Sequence, residues 1–197
     1  MCIRDSNKDE ILTNLSLAKS KTNDNEGSLQ DANEAIQLNS KLPEAYCNRG
    51  IAKDNLGDSE GAIVDFNKSI ELKPEQASAY YNRGVAKSKI ATKVVPINIE
   101  LLNNAIHDFN LAMKNDPYDP ASYINRGNAR GILKDFEGSL EDFNKVLELN
   151  PKDAQTYFNR AVTKMHMKNL KEACVDFKIS HQLGYPLARR YLNEYCK

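Results

Sequence analysis

Side chains able to do chemistry are few in this chain, and they do not gather into a reactive set. His107, His166 and His181 show no spacing that would bring two of them onto one metal ion. Cys47 has no histidine that can be placed beside it to take its proton, as a thiolate nucleophile would need. No glycine-rich phosphate loop occurs. The sequence therefore predicts no enzyme, no bound metal and no cofactor. What does recur is charge. Arg49, Arg83, Arg126 and Arg160 form one series, and Asp65, Asp108, Asp142 and Asp176 another. A guanidinium fork matches a carboxylate, so the two series are read as repeated structural ion pairs within or between successive units. The functional alternative is an anion-binding row of arginines. An unpaired arginine beside a core would be costly, which favours the pairs.

These series belong to a longer rhythm that must build the elements carrying them. Asn-Arg-Gly occurs at 48–50, 82–84 and 125–127, and Asn-Arg-Ala at 159–161. Asp-Phe and the prolines at 74, 117 and 151 follow the same beat. A period of 34 with one nine-residue insertion accounts for all of them. Each period holds two amphipathic stretches of about a dozen residues. In Ala62–Leu72 the apolar stripe is Ala62, Ile63, Phe66, Ile70 and Leu72. Leu56-Gly57-Asp58 reads as a stop, a turn and a start. One such hairpin cannot bury its apolar face alone, so stability must come from stacked neighbours. Lys plus Arg and Asp plus Glu both number 27, a formal balance of zero that gives no basic surface for nucleic acid. No run of 18 apolar residues offers a membrane-spanning helix.

Five positions recur together in each period. They read Tyr46, Gly50, Ala62, Phe66, Pro74; then Tyr80, Gly84, Ala105, Phe109, Pro117; then Tyr123, Gly127, Ser139, Phe143, Pro151; then Tyr157, Ala161, Ala173, Phe177, with Tyr185 in place of proline. A degenerate first set fits the register: Leu12, Ser16, Ser28, Ala32, Ser40. This pattern resembles the tetratricopeptide repeat over roughly residues 9–187, in a form similar to that of Bacteroidetes-type bacteria. The resemblance implies an all-α fold, a right-handed superhelical solenoid of about five helix-turn-helix repeats plus a C-terminal capping helix. The units fall at 9–42, 43–76, 77–119 (with the insertion near 91–98), 120–153 and 154–187, with the capping helix at 188–197. Residues 1–8 are set apart as a start outside the fold. Met1–Ser6 resembles the translation of a sequencing-library adapter, which would make Cys2 foreign.

The resemblance also implies where function lies: a protein-interaction scaffold whose first helices line a concave groove for an extended peptide or protein partner. Its sixth repeat position is Asn14, Asn48, Asn82, Asn125 and Asn159. An amide offers donor and acceptor together, so such a ladder could grip a peptide backbone; the alternative is bonding between neighbouring helices. The fifth position, with Tyr81, Ile124 and Phe158, would supply apolar anchors. The carboxylate clamp of chaperone adaptors is not expected, because its Lys and Arg positions are not matched here. The alternative function is a recognition arm of a larger enzyme or sensor truncated at its N-terminus. Cys174 and Cys196 would lie level on antiparallel helices, each about 13 Å from the turn between them. They are either a disulfide or two small buried residues. The insertion is either a protruding partner contact or a longer helix starting near Asn98 with its valines packed down.

Overall fold

The computed structural model describes residues 7–196, so the adapter-like stretch 1–6 and Lys197 lie outside the described residues. The chain divides between Asn115 and Asp116 into two compact units. Unit 1 holds three helical hairpins: α1 (Lys8–Lys21) with α2 (Asn25–Leu38), α3 (Pro43–Asn55) with α4 (Ser59–Leu72), and α5 (Ala77–Lys93) with α6 (Ile99–Asn115). Within it the first helices α1, α3 and α5 lie side by side as one row. Unit 2 holds α7 (Pro120–Ile132) with α8 (Phe136–Leu149), α9 (Ala154–His166) with α10 (Leu170–Gln182), and a closing helix α11 (Pro186–Tyr195). Its first helices α7 and α9 again pack together, and α11 packs on α10. No strand occurs among the described residues.

Local chemistry explains the boundaries. Asp24, Asp58 and Asp135 each accept a hydrogen bond from a glycine N–H three residues on, at 2.8–3.1 Å, and so cap α2, α4 and α8. Asn169 does the same for α10. Pro43, Pro120 and Pro186 open α3, α7 and α11, where the missing N–H costs nothing. The three-residue turn inside four of the hairpins uses one left-handed residue. That place is taken by Asn23, Gly57, Lys134 and Lys168, with φ of 62°, 95°, 65° and 64°. Only Gly57 adopts it without a steric penalty. Lys134→Gly is therefore expected to raise stability by about 0.5–1 kcal/mol, read as a higher denaturation midpoint; a lower midpoint would show that the lysine side chain holds the turn.

The core is a series of phenylalanines, Phe66 and Phe109 in unit 1 and Phe143 and Phe177 in unit 2, all shut off from water. Their rings lie so close to the facing helix that only glycine fits opposite three of them. A Cβ on Gly50 would fall 2.6 Å from the Phe66 ring, one on Gly84 2.8 Å from Phe109, and one on Gly127 2.9 Å from Phe143.

The nine inserted residues lengthen α5 by four relative to α3 and α6 by three relative to α4, and the rest go into the connection. Ala91 is buried, and Asn98 closes the connection by donating its N–H to the Ala91 carbonyl at 3.0 Å. Asn98 also caps α6 by accepting from Leu101 N at 2.9 Å. The second helix thus starts where the sequence suggested, but its valines are not packed down. Val94, Val95, Ile97 and Ile99 are exposed, Val95 almost completely.

Candidate functional site

The first helices carry the repeated arginines and asparagines, and the arginines share one arrangement. Arg49, Arg83, Arg126 and Arg160 each grip the carboxylate of Asp65, Asp108, Asp142 and Asp176 with two nitrogens. The Nη2–Oδ1 distances are 2.5–2.7 Å. Each aspartate is essentially buried. A second cation four residues after the arginine meets the same carboxylate: Lys53, Lys87, Arg130 and Lys164, at 2.7–3.1 Å. The arginine also lies over the ring of the tyrosine three residues before it, Tyr46, Tyr80, Tyr123 or Tyr157, at 5.3–5.8 Å. Burial alone would lower the Arg160 pKa, but the hydrogen bond and charge of Asp176 reverse this and hold it above its ordinary value.

Sequence reasoning missed a third partner. Arg49 Nη1 reaches Asn33 at 3.1 Å, Arg83 reaches Asn67 at 2.7 Å, and Arg160 reaches Asn144 at 2.7 Å, each on the second helix of the preceding hairpin. The signal was present, because two of these residues are the third letter of a recurring Asp-Phe-Asn. In the degenerate first hairpin Leu15 stands in the arginine's place, and Lys19 alone meets Asp31, at 2.7 Å. Each arginine's charge is thus met within its own hairpin, and Arg49, Arg83 and Arg160 also reach the preceding one.

The asparagines do not behave as one ladder. Asn48 is buried and donates to the Thr13 carbonyl at 2.9 Å, tying α3 to α1. This is the bonding between neighbouring helices that stood as the alternative to a peptide groove. Asn14 is exposed. Asn82 and Asn125 are half-buried and bond the carbonyls of Ser78 and Ala121 in their own helices. Asn159 is half-buried and reaches Asn128 Oδ1 at 3.2 Å. Of the fifth-position residues, Tyr81 lies against Phe109 with ring centres 6.2 Å apart, and Ile124 is half-buried. Phe158 is largely buried in an aromatic cluster with Phe177, Tyr185 and Tyr191, at centroid distances of 4.9–5.5 Å.

That cluster forms one side of a cavity of about 460 Å³ in unit 2. Gly127, Asn128, Gly131 and Ile132 of α7 line it, with Phe136, Ser139 and Phe143 of α8. Phe158, Asn159, Val162, Thr163 and His166 of α9 face them, and Tyr191 of α11 closes one side. The exposed His166 ring stacks parallel on Phe136, with centres 5.8 Å apart. Ser139 and Thr163 share a buried hydrogen bond at 3.2 Å. Gly131 of α7 leaves one part of the lining without a side chain. Unlike Gly127, a Cβ there would meet only Ser139 Oγ, at an ordinary 3.5 Å.

The remaining candidates are accounted for. Cys47 lies in the core with Ala62, Phe66 and Ala79, and burial pushes its thiol up to about 11. It stays protonated at neutral pH. Cys174 and Cys196 are joined as a disulfide, with Cα atoms 5.6 Å apart. His107, His166 and His181 are exposed, and among the described residues no three metal-capable side chains converge. No helix among the described residues is long and apolar enough to cross a membrane.

Comparison with known proteins agrees with the hairpin architecture. Tetratricopeptide-repeat families match residues 120–153 and 143–175, and a TPR repeat family matches residues 55–90. No curated protein matches the sequence. Among solved structures, MamA (residues 41 to the end) of Desulfovibrio magneticus RS-1 is similar with a TM-score of 0.76 at 22% identity, over 90% of this chain and 96% of that one. YrrB, a TPR protein with an unusual peptide-binding site, has a TM-score of 0.73 at 20% identity, over 92% and 90%. PilF of Pseudomonas aeruginosa has a TM-score of 0.80 at 16% identity, over 95% and 82%. Identities this low speak to the fold, and the fold agrees with the 34-residue pattern of Tyr, Gly, Ala, Phe and Pro. On these grounds the chain is built of tetratricopeptide repeats, matched over residues 55–90 and 120–175.

Proposed function

We propose that the chain is a peptide-binding module that receives one large apolar side chain of an extended partner in the cavity between α7, α8 and α9. Gly131 carries this reading. Glycine weakens a helix by roughly 1 kcal/mol relative to alanine, and here no neighbouring ring demands it. Its effect is to leave space lined by Phe143, Phe158 and Val162. A leucine- or phenylalanine-sized group suits such walls, with aromatic faces providing most of the contact. The amides of Asn128 and Asn159 stand at the same cavity, where each could exchange its present partner for a peptide N–H or C=O. Asn125 on α7 extends this polar edge in the proposal. The similar fold of YrrB, which has a peptide-binding site, supports the reading.

A displayed peptide library screened against the full chain is expected to return extended sequences sharing one large apolar residue. Gly131→Leu should then weaken binding at least about tenfold while raising helix stability by about 0.5–1 kcal/mol. That combination separates a filled site from a damaged fold. Asn125→Ala with Asn159→Ala should weaken every selected peptide without changing the apolar preference. Unchanged binding in the leucine variant would remove the cavity from the account.

A further inference from the structure

We infer that the Cys174–Cys196 disulfide is a redox latch that holds α11 in place as the wall of this cavity. The inference rests on the cavity being the binding site. It names how that site would be regulated. Helix α11 has ten residues and no side-chain cap at its start, and a helix that short is marginal on its own. Ala188 is its one fully buried residue among those described. The helix is held on the stack by Ala188 and Leu192 in the core cluster, by Tyr191, packed on Phe158 and Phe177 at 4.9 and 5.1 Å, and by the covalent link at its far end. Tyr191 is also the residue of α11 that lines the cavity. The bond and the binding wall therefore sit on the same short element.

The bond is placed where a reductant can reach it. Cys174 and Cys196 are half-buried and border a surface hollow with Leu170, Val175 and Tyr195. Lys171 and Lys178, three residues before Cys174 and four after, border the same hollow. Their charge favours the departing thiolate. Attack by a small dithiol breaks the S–S bond. Two electrons and two protons pass to the protein, leaving two thiols, and the dithiol becomes a cyclic disulfide. The link closes a span of 22 residues. Its removal returns chain entropy to the released end and is expected to make opening of α11 more frequent by on the order of a hundredfold.

The test compares the oxidised full chain with the same chain in dithiothreitol. Hydrogen exchange of residues 186–195 should speed up by on the order of a hundredfold on reduction, with exchange in α7 and α8 unchanged. Cys174→Ser with Cys196→Ser should match the reduced wild type and stop responding to dithiothreitol. A peptide selected on the oxidised chain should bind at least about tenfold more weakly to both, and reoxidation should restore the wild type alone. Equal exchange of α11 in the two states would overturn the latch, and so would equal peptide binding despite faster exchange. Failure of any peptide to bind the oxidised chain would overturn the binding role while the exchange result still decided whether the bond holds the helix.

Discussion

Phe109→Ala is expected to lower stability by about 3–5 kcal/mol. The ring is fully buried, and it faces a glycine. When a large core side chain is truncated, neighbours normally lean in and recover part of the loss. Gly84 has no side chain to lean, and its close approach to the ring leaves the α5 backbone facing the void. Tyr81 is the nearest aromatic, 6.2 Å away between ring centres, and moving it would uncover its own contacts. Chemical denaturation of the full chain would measure the effect. A loss under about 1 kcal/mol would mean that α5 and α6 can close on one another, contrary to the packing described.

Asp108→Ala is expected to cost about 3 kcal/mol through a different cause. Asp108 is fully buried and is met by both Arg83 and Lys87, themselves mostly covered. Removing the carboxylate leaves two cations side by side with no counter-charge. Coulomb repulsion then adds to the desolvation already incurred. The sign of a companion experiment separates charge from packing. Asp108→Leu combined with Arg83→Met and Lys87→Met removes all three charges and keeps similar volume, and it should recover most of the lost stability. If the triple variant is no better than the single one, the network contributes by shape and not by charge.

How much of this was legible beforehand depended on whether a feature repeats. Phe66, Phe109, Phe143 and Phe177 stand out because a column of identical residues is visible in one sequence. The arginine and aspartate series were visible for the same reason, and the structure sets their side chains within hydrogen-bonding distance. The second cation on each aspartate was harder to see, since Arg130 interrupts the series Lys53, Lys87 and Lys164, and the column is complete only when the two basic residues are read as one class. Asn48 shared a column with Asn82 and Asn125 yet bonds a neighbouring helix rather than its own. Periodicity fixes a residue's face, and the distance to the next helix decides what the face meets. The cavity was least legible of all. Its lining includes a glycine found at one position of one repeat, and Tyr191 from a helix outside the repeat pattern.

The bonds from Arg49 to Asn33, from Arg83 to Asn67 and from Arg160 to Asn144 all span the same 16 residues of sequence. Both ends of such a bond are therefore written inside the 34-residue period. When a whole period is duplicated, the new arginine finds the old asparagine, and the new asparagine awaits the next arginine. At these three junctions duplication leaves no arginine Nη1 without its asparagine. A chain wired in this way can gain or lose internal units without redesigning its joints. Variation is then free to accumulate in single-copy residues such as Gly131, where one unit comes to differ from its siblings.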